Sequence, residues 1–326
     1  MTAHVSVERV DRLSDSLAAL AVRVPFRAHQ WLRPDAQHLL TGLTRHRMAQ
    51  AIGTHGSEAW SAGGSTRADA LVVLRQLAWD SEVLGVSAAR IEIFAAGSYT
   101  ERRHAIDAAL EAALASAGAA GVRHVSVRVD AADDAAVHAL EHRRFLNVDA
   151  LMTFGRDLRG PFEPVVPGAR VRPAAEDDAA AVGEIAREAF TEGRFHSDPD
   201  ISRDTARDVY HRWALACCRG AAADAVLVAE DPGGVIGFIA CRMQQDTAVH
   251  LQRSSGTIVL VAAAPAARGH GVGARLVQAS TEWFSGQTAS AIEVGTQLRN
   301  TRAANLYGRC GFRLVASALS FRATIE

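Results

Sequence analysis

Short apolar runs alternate with amphipathic segments throughout the second half of the chain. Two of these runs, "AVLVAE" and "VIGFIAC", flank the turn "DPGG" and predict a β-hairpin. "TIVLVAAA" and "AIEVGTQ" predict two further strands, and the spacing of "ARLVQASTEWF" and "TRAANLYGRC" predicts a helix after each. Upstream, a strand is expected at 170–172 and helices at 176–190 and 202–219. This mixture predicts an α/β (α+β) fold with a mixed central sheet flanked by helices.

A strand-and-helix pattern occurs twice in the chain. "VSVRVDAADDAAVHALEHRRF" ends at Phe145, and "IEVGTQLRNTRAANLYGRCGF" ends at Phe312. Val127 and Val294 lie 167 positions apart, and so do the two phenylalanines. The constant offset indicates an internal duplication. Chance similarity between two alanine-rich segments is the alternative.

A proline-rich segment separates the two patterned regions. "GRDLRGPFEPVVPGARVRPA", residues 155–174, holds four of the nine prolines and is typical of a linker. Two domains are therefore predicted, at 1–160 and 168–326. In the first domain "TERRHAIDAAL" stands where the second has a glycine-rich loop, and this stretch contains no glycine.

Composition excludes several classes of function. The net charge is −1, with arginines spread along the chain, so no nucleic-acid partner is expected. The sequence contains no lysine, which rules out Schiff-base lysines and the Walker A phosphate loop. The four cysteines have neither disulfide nor zinc spacing. No signal sequence or membrane span is evident, so the expected location is cytoplasmic, with no membrane partner.

Three glycines at alternate positions mark the stretch "ARGHGVGARL", residues 267–276, called the glycine loop below. A glycine-rich turn from a strand into a helix can direct backbone N–H groups at a phosphate, helped by the helix dipole. A tight turn without a ligand is the alternative. A dinucleotide-binding fold is disfavoured because the third glycine, Gly273, comes one residue early and too little chain follows it.

The loop resembles the coenzyme A site of the GNAT superfamily of acyl-CoA N-acyltransferases. Arg268-x-x-Gly271-x-Gly273 is similar to the R/Q-x-x-G-x-G/A signature of that family, and the similarity covers residues 168–321. The family ending N…A…LY…GF has its counterpart in "VGTQLRNTRAANLYGRCGF". The resemblance implies tandem GNAT-like folds, in which a degenerate N-terminal copy lacks the coenzyme motif and helps form the acceptor pocket.

The resemblance also implies the cosubstrate and its contacts. Acetyl-CoA, or another acyl-CoA, is expected, with no metal. The backbone of two strand residues would pair with the pantetheine arm, the loop would hold the pyrophosphate, and two asparagines would line the coenzyme. The implied residues are Val261, Ala263, Arg268, Gly269, His270, Gly271, Val272, Gly273, Ala274, Asn300 and Asn305.

Tyr307 matches the tyrosine that protonates the departing thiolate in many family members, and a phenol is a neutral donor at pH 7. An aromatic side chain packed in the core is the alternative. The base that accepts the amine proton is left open between Glu293, His196 and a relay of ordered water. Ala264 stands where many members carry an acidic residue, which removes one further candidate.

Two segments narrow the expected acceptor. "RFHSDPDISRDTARDVYHRW" and "WDSEVLGVSAARIEI" are similar to segments of the dTDP-fucosamine (dTDP-4-amino-4,6-dideoxygalactose) acetyltransferases, which implies substrate contacts at Arg194 and His196. The leading hypothesis is an N-acetyltransferase acting on a small-molecule amine, an amino sugar that is nucleotide-linked (dTDP-linked). The alternatives are a natural-product or amino-acid amine as acceptor, and a non-catalytic acyl-CoA-binding module. The oligomeric state is open, with a homodimer as one alternative.

Overall fold

The computed structural model describes residues 5–64, 67–160 and 168–325. The chain divides into two compact units. The first comprises Met1–Ala150 together with Ser317–Glu326, and the second comprises Leu151–Ala316. Each unit contains a mixed sheet with helices.

The first unit contains a six-stranded sheet in the order β1-β2-β3-β4-β5-β12. The β4–β5 pair is parallel, and the other described pairs are antiparallel. Its strands are β1 (Ser6–Val10), β2 (Ser57–Gly64), β3 (Arg67–Gln76), β4 (Ala88–Ala95), β5 (His124–Asp130) and the end of β12 (Arg313–Thr324). Its helices are α1 (Asp15–Arg23), α2 (Gln37–Gly53), α3 (Ala78–Leu84), α4 (Tyr99–Ala119) and α5 (Asp134–His142), with a 3₁₀ turn at Gln30–Leu32.

Both faces of this sheet are covered by helices. On β3, Val72 and Leu74 pack against α4 and α5, while Leu71 and Val73 pack against α1 and α2. This alternation follows from the two-residue period of a strand. The apolar residues of β3 therefore form a nearly continuous run, as expected for a strand that is buried on both sides.

The second unit contains a six-stranded sheet in the order β6-β11-β10-β9-β8-β7. Here the β10–β11 pair is parallel, and the other described pairs are antiparallel. Its strands are the end of β6 (Leu146–Asp157), β7 (Arg170–Pro173), β8 (Ala225–Asp231), β9 (Gly234–Gln244), β10 (Ser255–Ala263) and β11 (Ala291–Gln297). Its helices are α6 (Ala179–Ala189), α7 (Arg194–Ser197), α8 (Arg203–Cys218), α9 (Gln245–Leu251), α10 (Val272–Gly286) and α11 (Thr301–Arg309), with 3₁₀ turns at Glu176–Asp178 and Pro265–Ala267.

The second sheet is also covered on both faces. Ile292 and Val294 of β11 pack with Leu276 and Val277 of α10 and with Tyr307 of α11. Helices α6 and α8 pack against each other, and α6 also packs on β9 and β10. In the part of the chain that the structure describes, no helix is both long enough and apolar enough to cross a bilayer.

The two units repeat one order of elements at a constant spacing. Strand β5 begins at His124 and β11 at Ala291, 167 positions later. Helix α5 begins at Asp134 and α11 at Thr301, again 167 positions later. The mixed α/β architecture with two tandem halves, predicted from the duplicated strand-and-helix pattern, is confirmed.

The compact units divide the chain at a different place from the predicted domains. The division falls inside β6, after Ala150, whereas the sequence predicted a linker near 160–168, of which residues 161–167 lie outside the described part. Residues 151–157 of β6 pair with β11, and residues 318–324 of β12 pair with β5. The linker prediction rested on local composition, whereas strand pairing is non-local and places residues 151–157 in the second unit and residues 318–324 in the first.

The last strand should therefore stabilise the first unit. Phe321 is 2% exposed and belongs to the core that contains α4 and α5. Replacing Phe321 with Ala should lower the free energy of unfolding by about 3–5 kcal/mol, because the cavity left behind collapses only in part. Leu314→Ala, at a residue that is 56% exposed on the same strand, should cost under about 0.5 kcal/mol. Denaturant unfolding would measure both variants, and equal losses would contradict the assignment.

Candidate active site

The parallel strands β10 and β11 are paired only at their beginnings. Hydrogen-bonded register runs from Ser255 to Ile258 on β10 and ends opposite Val294 of β11. On its other side, β10 has a register shift beside β9 that skips Val259, a β-bulge. Over residues 259–263, no β11 partner exists among the residues described. The β11-facing edge of this stretch can therefore pair with an extended amide-containing ligand.

Val261 and Ala263, the two strand residues predicted to bind the pantetheine arm, both lie in this part of β10 and are half-buried. Their register with Ile239 and Gly237 of β9 is regular beyond the bulge. The placement of these two residues agrees with a role for their backbone groups, whereas the role itself stays a prediction.

The glycine loop leads from β10 into the first turn of α10. Gly269 and Gly271 have φ angles of +82° and +78°, a region that side chains with a β-carbon rarely adopt. Gly271 is the N-cap of α10, and neither a side-chain cap nor an acidic residue is found in the first turn among the described residues. The N–H groups of that turn are thus open to an anion, with the positive end of the helix dipole behind them.

The equivalent helix of the first unit begins differently. Helices α4 and α10 end 167 positions apart, at Ala119 and Gly286, but α4 has 21 residues and α10 has 15. The positions that form the glycine loop in the second unit are therefore helical in the first. Ser98 and Glu101 form a capping box on α4, and these hydrogen bonds lower the pKa of the Glu101 carboxyl. A charged carboxylate that caps the helix leaves no favourable place for a phosphate.

An ion pair joins α4 to α5 in the first unit. Arg102 Nε donates to Asp133 Oδ1 at 3.1 Å, with both side chains 12% exposed, and the guanidinium lies 5.6 Å from the centroid of the Phe26 ring. Burial raises the pKa of Asp133 despite the neighbouring arginine charge. The 167-residue offset places Gly269 and Asn300 at the equivalent positions in the second unit, so the pair has no counterpart there.

Tyr307 lies on α11 and is 3% exposed. Its ring packs between Phe154 and Phe312, at centroid distances of 5.8 and 5.9 Å. Burial raises the pKa of the phenol well above its usual value, so the hydroxyl stays protonated at neutral pH. A β-carbon built on Gly273 would lie 3.1 Å from Leu306 Cδ2, so the first turn of α10 packs directly against α11 beside Tyr307.

The other residues predicted to bind the coenzyme differ in their exposure and in their hydrogen bonds. Asn300 caps α11, since its Oδ1 accepts a hydrogen bond from Ala303 N at 3.1 Å. Asn305 is exposed on α11, and exposed His270 contacts the Arg268 carbonyl through Nδ1 at 3.0 Å. Val272 is buried and Arg268 is exposed, while Gly273 and Ala274 are half-buried in the first turn of α10.

Glu293 lies on the opposite face of β11 from Tyr307. Its strand neighbours Ile292 and Val294 share a core with Tyr307, and alternation along the strand turns Glu293 to the other face. The Glu293 side chain is buried. The structure therefore does not place the two predicted catalytic residues side by side, and an acid and a base would act from opposite sides of the sheet.

The acceptor segment, defined as residues 190–198, contains α7 with Arg194 and His196. It lies at the end of β11, because a β-carbon built on Gly193 would be 3.4 Å from Gln297 Nε2. Gln297 lies four positions after Glu293 on β11, and because side chains alternate along a strand, both side chains point to the same face of the sheet. The segment that carries the predicted substrate residues thus reaches the Glu293 face of β11.

Three features of the site were missed from the sequence. They are the β-bulge at Val259, the position of Gln297, and Tyr210, whose ring stacks on His196 at 5.6 Å between centroids. Tyr210 lies within the quoted segment "RFHSDPDISRDTARDVYHRW", and an aromatic residue on the buried side of the predicted helix was the available signal. The bulge has no sequence signal, because it depends on the neighbouring strand.

His196 is held in a neutral state. Burial lowers the pKa of its imidazole, and the Arg207 charge lowers it further. Neither ring nitrogen forms a well-shaped hydrogen bond within the described residues, although the Glu192 backbone lies close enough to oppose the shift. The side chain at this position is therefore unprotonated at pH 7.

Because the buried imidazole of His196 is neutral, the stability of the protein should depend on pH. The folded-state pKa of His196 lies below 6.5, so protonation favours the unfolded chain, and the free energy of unfolding should fall as the pH drops below 6.5. In His196→Gln this part of the acid destabilisation should be missing. NMR titration of the imidazole signals, with the variant for assignment, would measure the pKa. A midpoint at or above 6.5 would contradict the burial argument.

The chain is similar to a known protein family and to proteins of polysaccharide and sugar metabolism. The model of the family described as "Acetyltransferase (GNAT) family" matches residues 180–312. The spore coat polysaccharide biosynthesis protein SpsD of Bacillus subtilis is 26% identical over 249 residues, which cover 76% of this chain and 81% of that protein. The dTDP-fucosamine acetyltransferase of Escherichia coli O6:H1 is 27% identical over 146 residues, 44% of this chain and 59% of that enzyme, so the match spans less than two thirds of its length.

A solved structure shares the architecture of the whole chain. The tandem GNAT protein from the clavulanic acid biosynthesis pathway aligns with a TM-score of 0.57 at 13% identity, over 99% of this chain and 99% of that one. At this identity the similarity establishes the fold alone. It agrees with the duplicated order of elements in the two units.

Proposed function

We propose that this chain transfers an acetyl group from acetyl-CoA to the amino group of a nucleotide-linked sugar. Its residues 180–312 belong to the acetyltransferase (GNAT) family, so the chain is an acyltransferase. One observation carries the proposal: in the second unit β10 and β11 stop pairing after Ile258, next to a helix N-terminus that has no side-chain cap. The first unit has the same fold, but a capping box and an ion pair occupy the corresponding positions.

The residues of the second unit fit acetyl-CoA as cosubstrate. The open edge of β10 at Val261 and Ala263 suits the amide groups of the pantetheine arm. The N–H groups that follow Gly269 and Gly271 suit the pyrophosphate, and their glycines let the backbone come close to it. Arg268, at the start of the loop, adds a positive charge.

The reaction forms a carbon–nitrogen bond and breaks the carbon–sulfur bond of the thioester. The departing thiolate needs a proton, and the buried Tyr307 hydroxyl is a donor that stays protonated at neutral pH. The amine must be neutral to attack and must lose a proton afterwards. Glu293 and His196, on the acceptor side of β11, are the residues proposed to receive that proton, directly or through water.

The acceptor assignment rests on the relatives and on the acceptor segment. One relative is a polysaccharide biosynthesis protein, and the other is an acetyltransferase of dTDP-fucosamine. Arg194 and His196 lie in the segment that reaches the Glu293 face of β11. An amino sugar attached to a nucleoside diphosphate is therefore the proposed substrate class.

A panel of acceptors tests this proposal. Purified chain, acetyl-CoA and either dTDP-linked 4-amino-4,6-dideoxyhexoses, free amino sugars or simple amines would be incubated, and each acceptor analysed by mass spectrometry for one added acetyl group. The dTDP-amino-sugars should react best. Acetylation of an amino acid or natural-product amine alone would overturn the sugar assignment. Binding of acetyl-CoA without transfer to any acceptor would overturn catalysis.

Replacing Tyr307 with Phe should lower kcat by about 10²-fold or more, the size expected for losing a general acid, with little change in the KM for acetyl-CoA. Tyr99→Phe, the same chemical change at an exposed tyrosine of the first unit, is the matched control and should leave kcat unchanged. Initial rates of acetylated product formation would measure both. A normal kcat for Tyr307→Phe would show that Tyr307 does not act as the proton donor and only packs in the core.

Gly269 offers a second test, because its φ is +82° and a β-carbon there would meet no atom of the protein within 4 Å. Gly220 has a φ of +75° and equally open surroundings after α8, so it provides a matched control. Both alanine variants should lose about 1–2 kcal/mol of stability through left-handed backbone strain. Only Gly269→Ala should also weaken acetyl-CoA binding in calorimetry. Equal affinities of the Gly269→Ala and Gly220→Ala variants for acetyl-CoA would show that the loop is not part of the coenzyme site.

A further inference from the structure

A cluster of aromatic rings surrounds Tyr210 on α8. The Tyr210 ring is 6% exposed and stacks on Phe190 at 4.7 Å between centroids, with an interplanar angle of 11°. His196 and Trp213 stack less closely, at 5.6 and 6.1 Å. Rings on several sides leave the phenol a single orientation.

The Tyr210 hydroxyl touches the backbone that leads into α7. It donates to the Glu192 carbonyl at 3.4 Å, and a β-carbon built on Gly193 would lie only 2.6 Å from the hydroxyl oxygen. Gly193 has φ +124° and ψ 174°, a conformation that belongs almost entirely to glycine. The hydroxyl and this glycine therefore fix the turn immediately before Arg194 and His196.

The first unit shows that the fold does not require this cluster. It builds the equivalent helix pair from α1 and α2, and α2 contains no aromatic residue. The buried side of α2 is largely aliphatic, with Leu40, Leu43, Met48 and Ile52. An aliphatic helix pair is thus sufficient for the architecture, and the aromatic cluster accompanies the unit that has the glycine loop.

We propose that Tyr210 is a positioning residue for the amine acceptor: its ring supports His196, and its hydroxyl fixes the Glu192–Gly193 turn so that α7 presents Arg194 and His196 at the end of β11. This rests on the proposed function, in which those two residues contact the acceptor. In this proposal Tyr210 acts through α7 and not through a contact with either cosubstrate. Its loss should therefore change acceptor recognition and leave the coenzyme side as it is.

The three tyrosines of the chain, each changed to Phe, separate the roles. Tyr210→Phe should raise the KM for the acceptor about fivefold, as expected for losing one hydrogen bond, with kcat and the KM for acetyl-CoA within about twofold. Tyr210→Leu should raise the acceptor KM further, because it also removes the ring behind His196. Tyr307→Phe should change kcat, and Tyr99→Phe neither. Unchanged acceptor KM in both Tyr210 variants of an active enzyme would overturn the proposal.

A double-mutant cycle tests the contact with Gly193 directly. Gly193→Ala should raise the acceptor KM, since the new methyl group meets the Tyr210 hydroxyl. In the Tyr210→Phe background that obstruction is gone, so the same substitution should cost less, with only the backbone strain left. Equal effects in the two backgrounds would show that the hydroxyl does not restrain the turn, and would overturn the proposal.

Hydrogen exchange separates this proposal from the proposed function. Tyr210→Leu should speed amide exchange in the acceptor segment without changing exchange in α10, whatever acceptor the enzyme uses. Normal exchange in the acceptor segment would overturn the positioning role. Failure of the wild-type chain to acetylate any amino sugar would instead refute the proposed function, while faster exchange in the variant would still support positioning of α7.

Discussion

The backbone donors at the N-terminus of α10 determine what the second unit can bind. In α10 the chain turns through Gly271 and starts the helix without a side-chain cap, so the first-turn N–H groups require a partner from outside the helix. An anion is the natural partner for these donors and for the helix dipole behind them. The divergence of β10 from β11 after Ile258 extends the same site along the strand edge. The proposed site for a long, phosphorylated molecule that contains amide groups combines these two features.

The duplicated fold separates what the architecture needs from what the chemistry needs. At the 167-residue offset, Tyr307 corresponds to Leu140, which is fully buried on α5. The first unit thus fills the tyrosine position with an apolar side chain of the core. Together with the longer, self-capped α4 and the Arg102–Asp133 pair, this means that the described residues of the first unit have neither an uncapped helix N-terminus nor a tyrosine at the positions equivalent to the glycine loop and Tyr307. These differences therefore distinguish two halves with the same order of elements.

Sequence reasoning was most successful where periodicity was strong. The strand Ala291–Gln297 agrees with the predicted "AIEVGTQ", and α11 ends at Arg309, one residue before the predicted end. Helix α9 was not predicted, because a seven-residue segment after a strand gives too short a pattern. The pairing of β6 with β11 and of β12 with β5 could not be predicted, since partners distant in sequence leave no local trace. For the same reason the stacking of Tyr210 on His196 emerged only from the structure.

Coenzyme binding is assigned to one of the two similar units. Isothermal titration of the intact chain with acetyl-CoA measures this most directly, because the method gives the number of sites per chain. One site per chain is predicted, since α10 presents open N–H groups and α4 is capped by Ser98 and Glu101. Two sites per chain would contradict the assignment of coenzyme binding to the second unit, and so would a single site that survives when the glycine loop is disrupted.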